Sequence, residues 1–342
     1  MGMFTSIAVD EIRHRGSIRD GDVARLRAAY DESASITAGD AEALFSLHAA
    51  TPVQDRTWSA FFIEAITEYI VHQAPPEGYV VAENTAWLCA QISTFGRIET
   101  STELALLVHV LESARWTPPS LAAFALDQIR HAVETGKGPL RTGRPITIGE
   151  ITSEEVELAG RIIRAFGGDT GIPVTRAEAD ALLAINRAIV AGRSTPAWST
   201  LLVRAVGSAV LAALGHVVEP RRELIDSATL DGGELADLFF GGGADGDAAF
   251  PSPPPRDAMR VWQTARIQTG EERALARLER QRLEIVTNEV IEEASDTWLM
   301  ERLEHAPVED ANETAVVGHV LREASRPSPA LAQFAARRAI AA

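Results

Sequence analysis

The sequence is short of cysteine and of positive charge, and each shortage excludes a class of protein. The single cysteine, Cys89, has no partner in the chain, so no intramolecular disulfide holds the fold together. Lys and Arg total 32 against 48 Asp and Glu, which gives a formal net charge of −16. Because nucleic-acid binding depends on neutralising phosphates, this balance argues against a general nucleic-acid-binding protein. It also predicts repulsion from anionic membranes.

Long uninterrupted apolar runs are scarce as well, and this bears on the compartment. Residues 1–16 contain no apolar stretch long enough for the core of a signal peptide, since Arg-His-Arg interrupts them at 13–15. The most apolar segment, 198–218, has the length of a membrane span, but Arg204 lies inside it. Charged residues are rare at mid-membrane. We therefore expect a cytoplasmic protein in which 198–218 includes a buried helix.

The chain matches itself in two halves. Blocks of similar residues recur in the same order, and they include tryptophans, which argues against chance. The matched blocks are 40–48 with 178–186, 58–66 with 198–206, 85–88 with 296–299, 103–114 with 313–324 and 121–124 with 331–334. The boundary falls at 135–149, where Gly and Pro interrupt the periodicity. The sequence thus predicts two tandem homologous helical repeats, at 1–140 and 141–342.

Almost every periodic segment has the 3.6-residue spacing of an amphipathic helix, so the predicted fold class is all-α. Candidate strands are few, and 78–81 is the clearest. The second repeat carries an insertion: the Gly- and Pro-rich residues 241–256 predict a flexible loop. Residues 256–293 are densely charged with apolar residues at helical spacing, which predicts a long surface helix, broken near Gly270 in one interpretation.

Several helices begin with the same local signal, the capping box. In this motif the side-chain hydroxyl of the N-cap residue accepts a hydrogen bond from the backbone N–H of the residue three positions later. The carboxylate of that later residue accepts a hydrogen bond from the backbone N–H of the N-cap residue. Four sites fit the motif and a fifth is a looser version: 37–40, 100–103, 152–155, 175–178 and 310–313.

Three of these caps follow a small-residue turn and an isoleucine, at Ile36, Ile98 and Ile172. This rhythm resembles degenerate EF-hands and the helical TerB-like domains of tellurite-resistance proteins. The chain as a whole is also similar to a family found in alphaproteobacteria. The TerB and EF-hand resemblance implies a metal-responsive module whose acidic positions are Asp31, Asp40, Asp169 and Glu178.

Helix capping is the alternative explanation of these carboxylates, and it needs no metal. A calcium loop requires oxygen ligands at positions 1, 3, 5, 9 and 12 with Gly at position 6, and the turns do not supply this set. Capping accounts for the same side chains. We therefore predict no metal site and no cofactor, and keep the four acidic residues as candidates.

The remaining chemistry-bearing residues have two interpretations each. His109 and His319 occupy matched positions and are either a paired site or core histidines, which we favour. The four duplicated tryptophans are ligand platforms or, as we expect, packing anchors; they are Trp58, Trp87, Trp198 and Trp298. Cys89 has no base nearby in sequence, which predicts a buried, inert thiol.

No catalytic constellation stands out, so no catalytic residue is predicted. The sequence favours a non-enzymatic helical scaffold or interaction module whose partner is another protein. A metal-responsive TerB-like or EF-hand-like module in a stress response is the first alternative. An enzyme with an active site dispersed in sequence is the second.

Overall fold

The computed structural model describes residues 9–33, 35–143, 146–165, 172–221, 266–304, 310–338 and 340. These residues form fourteen α-helices and one pair of two-residue strands, so the prediction of an all-α fold is confirmed. The helices are α1 (Val9–Arg15), α2 (Asp20–Ser33), α3 (Ala38–Ala50), α4 (Arg56–Thr67), α5 (Ala82–Ile92), α6 (Ser101–Ser113), α7 (Pro119–Thr135), α8 (Ser153–Ala165), α9 (Arg176–Ala188), α10 (Pro196–Ala213), α11 (Gly270–Thr287), α12 (Asp296–Glu304), α13 (Ala311–Glu323) and α14 (Pro329–Arg337). A π-helical turn, Glu68–Gln73, continues α4, and a 3₁₀ turn covers Pro139–Arg141.

The predicted capping boxes set the helix starts. Thr37, Thr100 and Thr175 each exchange both bonds with the acidic residue three positions on, at the beginning of α3, α6 and α9. Thr152 and Glu155 exchange the same bonds before α8. In the looser version, Asp310 accepts from two backbone N–H groups of α13. Each cap satisfies backbone donors that the first helical turn leaves without a partner.

The two strands form a minimal parallel pair, β1 (Ser17–Ile18) with β2 (Val53–Gln54). The predicted strand at 78–81 is not one: only Tyr79 makes a bridge, with Trp116, and the chain enters α5 at Ala82. The backbone N–H and C=O groups of a strand need hydrogen bonds from a neighbouring strand. The loop before α7 pairs with this segment at one residue only.

Three of the four tryptophans at matched positions are packing anchors, as predicted. Trp58 and Trp198 are fully buried and Trp298 nearly so, whereas Trp87 is half-buried against the core. By length and composition alone, helix α10 could cross a membrane. In this structure it packs against α8, α9, α12 and α13.

The two halves of the chain pack on one another. The most extensive helix contact in the described residues is between α7 and α9, and α8 lies against both α6 and α7. Both helices bury small side chains: Ala122 and Ala125 of α7 and Ala179 of α9 are fully buried. At the rim, Arg161 of α8 donates from Nε and Nη2 to the two carboxylate oxygens of Glu112, at 2.8 Å each.

Within the described residues, the predicted surface helix at 256–293 covers Gly270–Thr287. Helix α11 begins after Thr269, whose hydroxyl forms a capping box with Glu272, and it ends at Asn288, which adopts the left-handed conformation. Asn accepts that conformation more readily than most residues, so the helix stops there. The prediction of a loop at 241–256 lies outside the described residues, as does 256–265.

Candidate functional site

Glu178, one of the four candidate acidic residues, is the centre of a buried ion pair. It is fully buried, and it accepts from the N–H and the hydroxyl of Thr175 at 2.8 and 2.7 Å. Arg221 donates to its two oxygens at 2.6 and 2.8 Å. The same guanidinium also donates to three backbone carbonyls, those of Ile163, Ile172 and Pro173. A guanidinium therefore neutralises the carboxylate that the EF-hand resemblance assigns to a metal.

The other candidate positions are scattered. Asp40 is buried and accepts from the N–H and the hydroxyl of Thr37 at 3.1 and 2.5 Å. Asp31 is exposed near the end of α2, and Asp169 lies outside the described residues. Within the described part of the chain, no three His, Cys, Asp or Glu side chains are grouped so that they could hold a metal ion.

The buried tryptophans have matched partners that sequence matching alone did not reveal. The indole Nε1 of Trp58 donates to Nδ1 of His48, and that of Trp198 donates to Oδ1 of Asn186, both at 3.1 Å. His48 and Asn186 are the last residues of matched blocks in α3 and α9. Burial lowers the pKa of His48 to about 4, so its imidazole is neutral and accepts the bond.

His109 and His319 are half-buried at the helix surface, and burial lowers the pKa of both imidazoles. Their surroundings carry opposite charge at two matched positions. Glu64 and Glu112 lie beside His109, together with Arg161. Beside His319 the residues that match the two glutamates are Arg204 and Arg322, together with Glu219 and Glu323. The two histidines are therefore in different electrostatic settings.

A cleft of about 380 Å³ opens beside His319, between α10 and α13. Gly207 brings these helices close, because a Cβ atom there would lie 2.4 Å from Cδ2 of His319. Arg204 is largely buried, and its Nη2 donates to Glu219 at 3.0 Å. The lining residues come from both helices: Ser199, Thr200, Val203, Arg204, His319, Arg322 and Glu323.

Helix α11 presents a second surface, made of exposed aliphatic side chains. Leu275, Leu278 and Ile285 are 60, 61 and 81% exposed. Their spacing of three and seven residues places them on one side of the helix, while Leu283 and Thr287 are buried on the other. We call these three residues the α11 stripe.

Cys89 is half-buried rather than fully buried, and burial raises the pKa of its thiol to about 11. The thiol form therefore prevails at neutral pH, as expected for an inert cysteine.

Comparisons with protein-family models, with curated proteins and with solved structures found no match. The function is therefore argued from the geometry of this chain.

Proposed function

We propose that the protein is a non-enzymatic helical scaffold that binds another protein through the α11 stripe. The observation that carries this proposal is the exposure of Leu275, Leu278 and Ile285 along one side of a helix. Single exposed aliphatic residues are ordinary on protein surfaces, but an exposed row at helical spacing is typical of a helix that docks in a groove. The partner is expected to offer an apolar groove.

The surroundings of α11 support a docking role. Among the described residues, no other helix makes an extensive contact with it. Its charged residues balance, with four Arg and four Glu between positions 270 and 287. A neutral helix with an apolar row favours an apolar protein groove over a charged surface such as a membrane.

The segment that follows α11 fixes the helix to the body. Glu289 accepts from the N–H and the hydroxyl of Ser120, in the first turn of α7, at 2.8 and 2.5 Å. The carbonyl of Glu292 accepts from the N–H of Arg176, at the start of α9, at 3.0 Å. These bonds hold α11 in one orientation, and a pre-ordered surface loses less entropy on binding.

The experiment that tests the proposal compares captured partners. A Leu275→Gln, Leu278→Gln double variant and the wild-type chain would be used as baits in extract of the native host, and bound proteins would be quantified by mass spectrometry. We expect at least one partner to be retained by the wild type and depleted about tenfold or more by the variant, since each buried leucine contributes about 1.5–3 kcal/mol.

The control is Phe95→Gln, which removes a side chain that is 100% exposed but lies in the turn before α6. It should retain every partner of the wild type. The proposal is wrong if the double variant, folded by circular dichroism, captures the same proteins in the same amounts.

We further propose that the scaffold arose by tandem duplication, and two matched contacts support this. The first is the pair of indole bonds, from Trp58 to His48 and from Trp198 to Asn186. The second lies at the start of α2 and α8. There Asp22 and Glu155 are both buried, both accept from the backbone N–H three residues earlier, and both pair with an arginine from the preceding segment, namely Arg15 and Arg141.

One outer surface is charged where the matched surface at the junction of the halves is apolar. At the inner junction Leu158 of α8 is buried, whereas the matched Arg25 of α2 is exposed. Polar terminal faces are how repeat arrays stop adding units.

A further inference from the structure

The cleft between α10 and α13 brings two arginines and an imidazole together in a chain with a net charge of −16. Arg204 is only 8% exposed, and Arg322 is an exposed residue at the rim. His319 stands between them on the wall formed by α13. Glu219 accepts from Nη2 of Arg204 and so fixes the orientation of that group.

In the first half of the chain, the position that matches Arg322 forms an ion pair with a neighbouring helix. Glu112 stands where the second half has Arg322, and the guanidinium of Arg161 binds it through two parallel bonds of 2.8 Å. Arg161 comes from α8, the first helix of the second half. Because the charge is reversed at Arg322, the complementary group there is an anion.

We propose that this cleft binds a small molecule through a carboxylate or phosphate group. The planar guanidinium matches both oxyanions through paired hydrogen bonds. The cleft is shallow and open to solvent, so it would hold only a small ligand. Val203 offers apolar contact for the rest of the ligand. Glu219 and Glu323 repel further negative charge, so a ligand with one anionic group fits best.

The test is an NMR titration of the ¹⁵N-labelled full chain with propionate and, separately, with inorganic phosphate. Ionic strength is held constant, and propionamide serves as the neutral analogue. We expect saturable amide shifts in α10 and α13 with at least one anion and none with propionamide. Preference for propionate or for phosphate identifies which oxyanion the cleft takes.

Arg322→Ala should weaken the binding about tenfold or more, because a charge-assisted bond to an anion is lost. Arg322→Lys should retain only part of the wild-type affinity, since an ammonium group lacks the paired, planar N–H donors of a guanidinium. The matched control is Arg326→Ala, which removes an exposed arginine outside the cleft and should bind as the wild type does. The proposal is overturned if neither anion gives saturable shifts, or if Arg322→Ala binds as tightly as the wild type.

Discussion

The indole N–H groups of Trp58 and Trp198 are buried in the core, and the residues that accept from them differ in one respect. His48 can take up a proton and Asn186 cannot. The folded protein holds the pKa of His48 at about 4, against an ordinary value of 6.5. As the pH falls below 6.5, the unfolded chain binds a proton that the folded chain refuses. The free energy of unfolding therefore declines between pH 6.5 and about 4, by about 3 kcal/mol from this group.

His48→Asn should remove that decline while keeping an acceptor for Trp58. At pH 7 it should cost about 1 kcal/mol, because the imidazole stacks on Phe62 with centroids 4.6 Å apart. The measurement is urea unfolding at pH 7.0 and 4.5, and the difference between variant and wild type isolates this residue from other titrating groups. Asn186→His is the matched change and should steepen the pH dependence. An unchanged pH dependence in His48→Asn would contradict the argument.

At the scale of single residues, the sequence reveals local partners and hides distant ones. The bond from Thr175 to Glu178 spans three positions and is readable as a capping box. The residue that neutralises the charge of Glu178 is Arg221, which lies 43 positions away in the sequence. Nothing in the local sequence pattern indicates this pairing. For the same reason the acidic turns alone could not distinguish a metal ligand from a carboxylate paired with arginine.

At the scale of elements, helix starts were the best predicted feature because caps act within one turn. The ends were less predictable: α11 stops at Asn288, well before the end of the charged pattern, because the backbone turns left-handed there. The cleft between α10 and α13 was not predicted, since it depends on how two helices from distant blocks cross. Its one sequence signal is Gly207, a glycine inside an apolar helix.

Gly207→Ala tests that crossing. Alanine has a higher helix propensity than glycine. At this position, however, its Cβ would lie 2.4 Å from the ring of His319. We expect the free energy of unfolding to fall by about 1–3 kcal/mol, the usual cost of overpacking, as measured by urea unfolding. Adding His319→Ala should restore most of the loss, because it removes the atoms that clash.

The control is Gly21→Ala in α2, where a Cβ would meet no atom within 4 Å. That change should be neutral or should stabilise the protein by up to about 1 kcal/mol. If Gly207→Ala and Gly21→Ala have the same effect, the close approach of α10 and α13 is not what requires the glycine.

At the scale of the whole molecule, we expect the contact between α7 and α9 to join the two halves into one unit of folding. Leu183→Ala in α9 is the change that tests this, because Leu183 is fully buried and its loss should cost about 2–5 kcal/mol. We expect unfolding to stay a single transition at a lower urea concentration. Hydrogen exchange should then accelerate equally in α4 of the first half and in α10 of the second, since both open only by global unfolding. Leu275→Ala, on the exposed α11 stripe, should leave both rates unchanged.

Acceleration confined to α10, with α4 still protected, would show that the halves unfold independently and that their contact is weaker than its extent suggests.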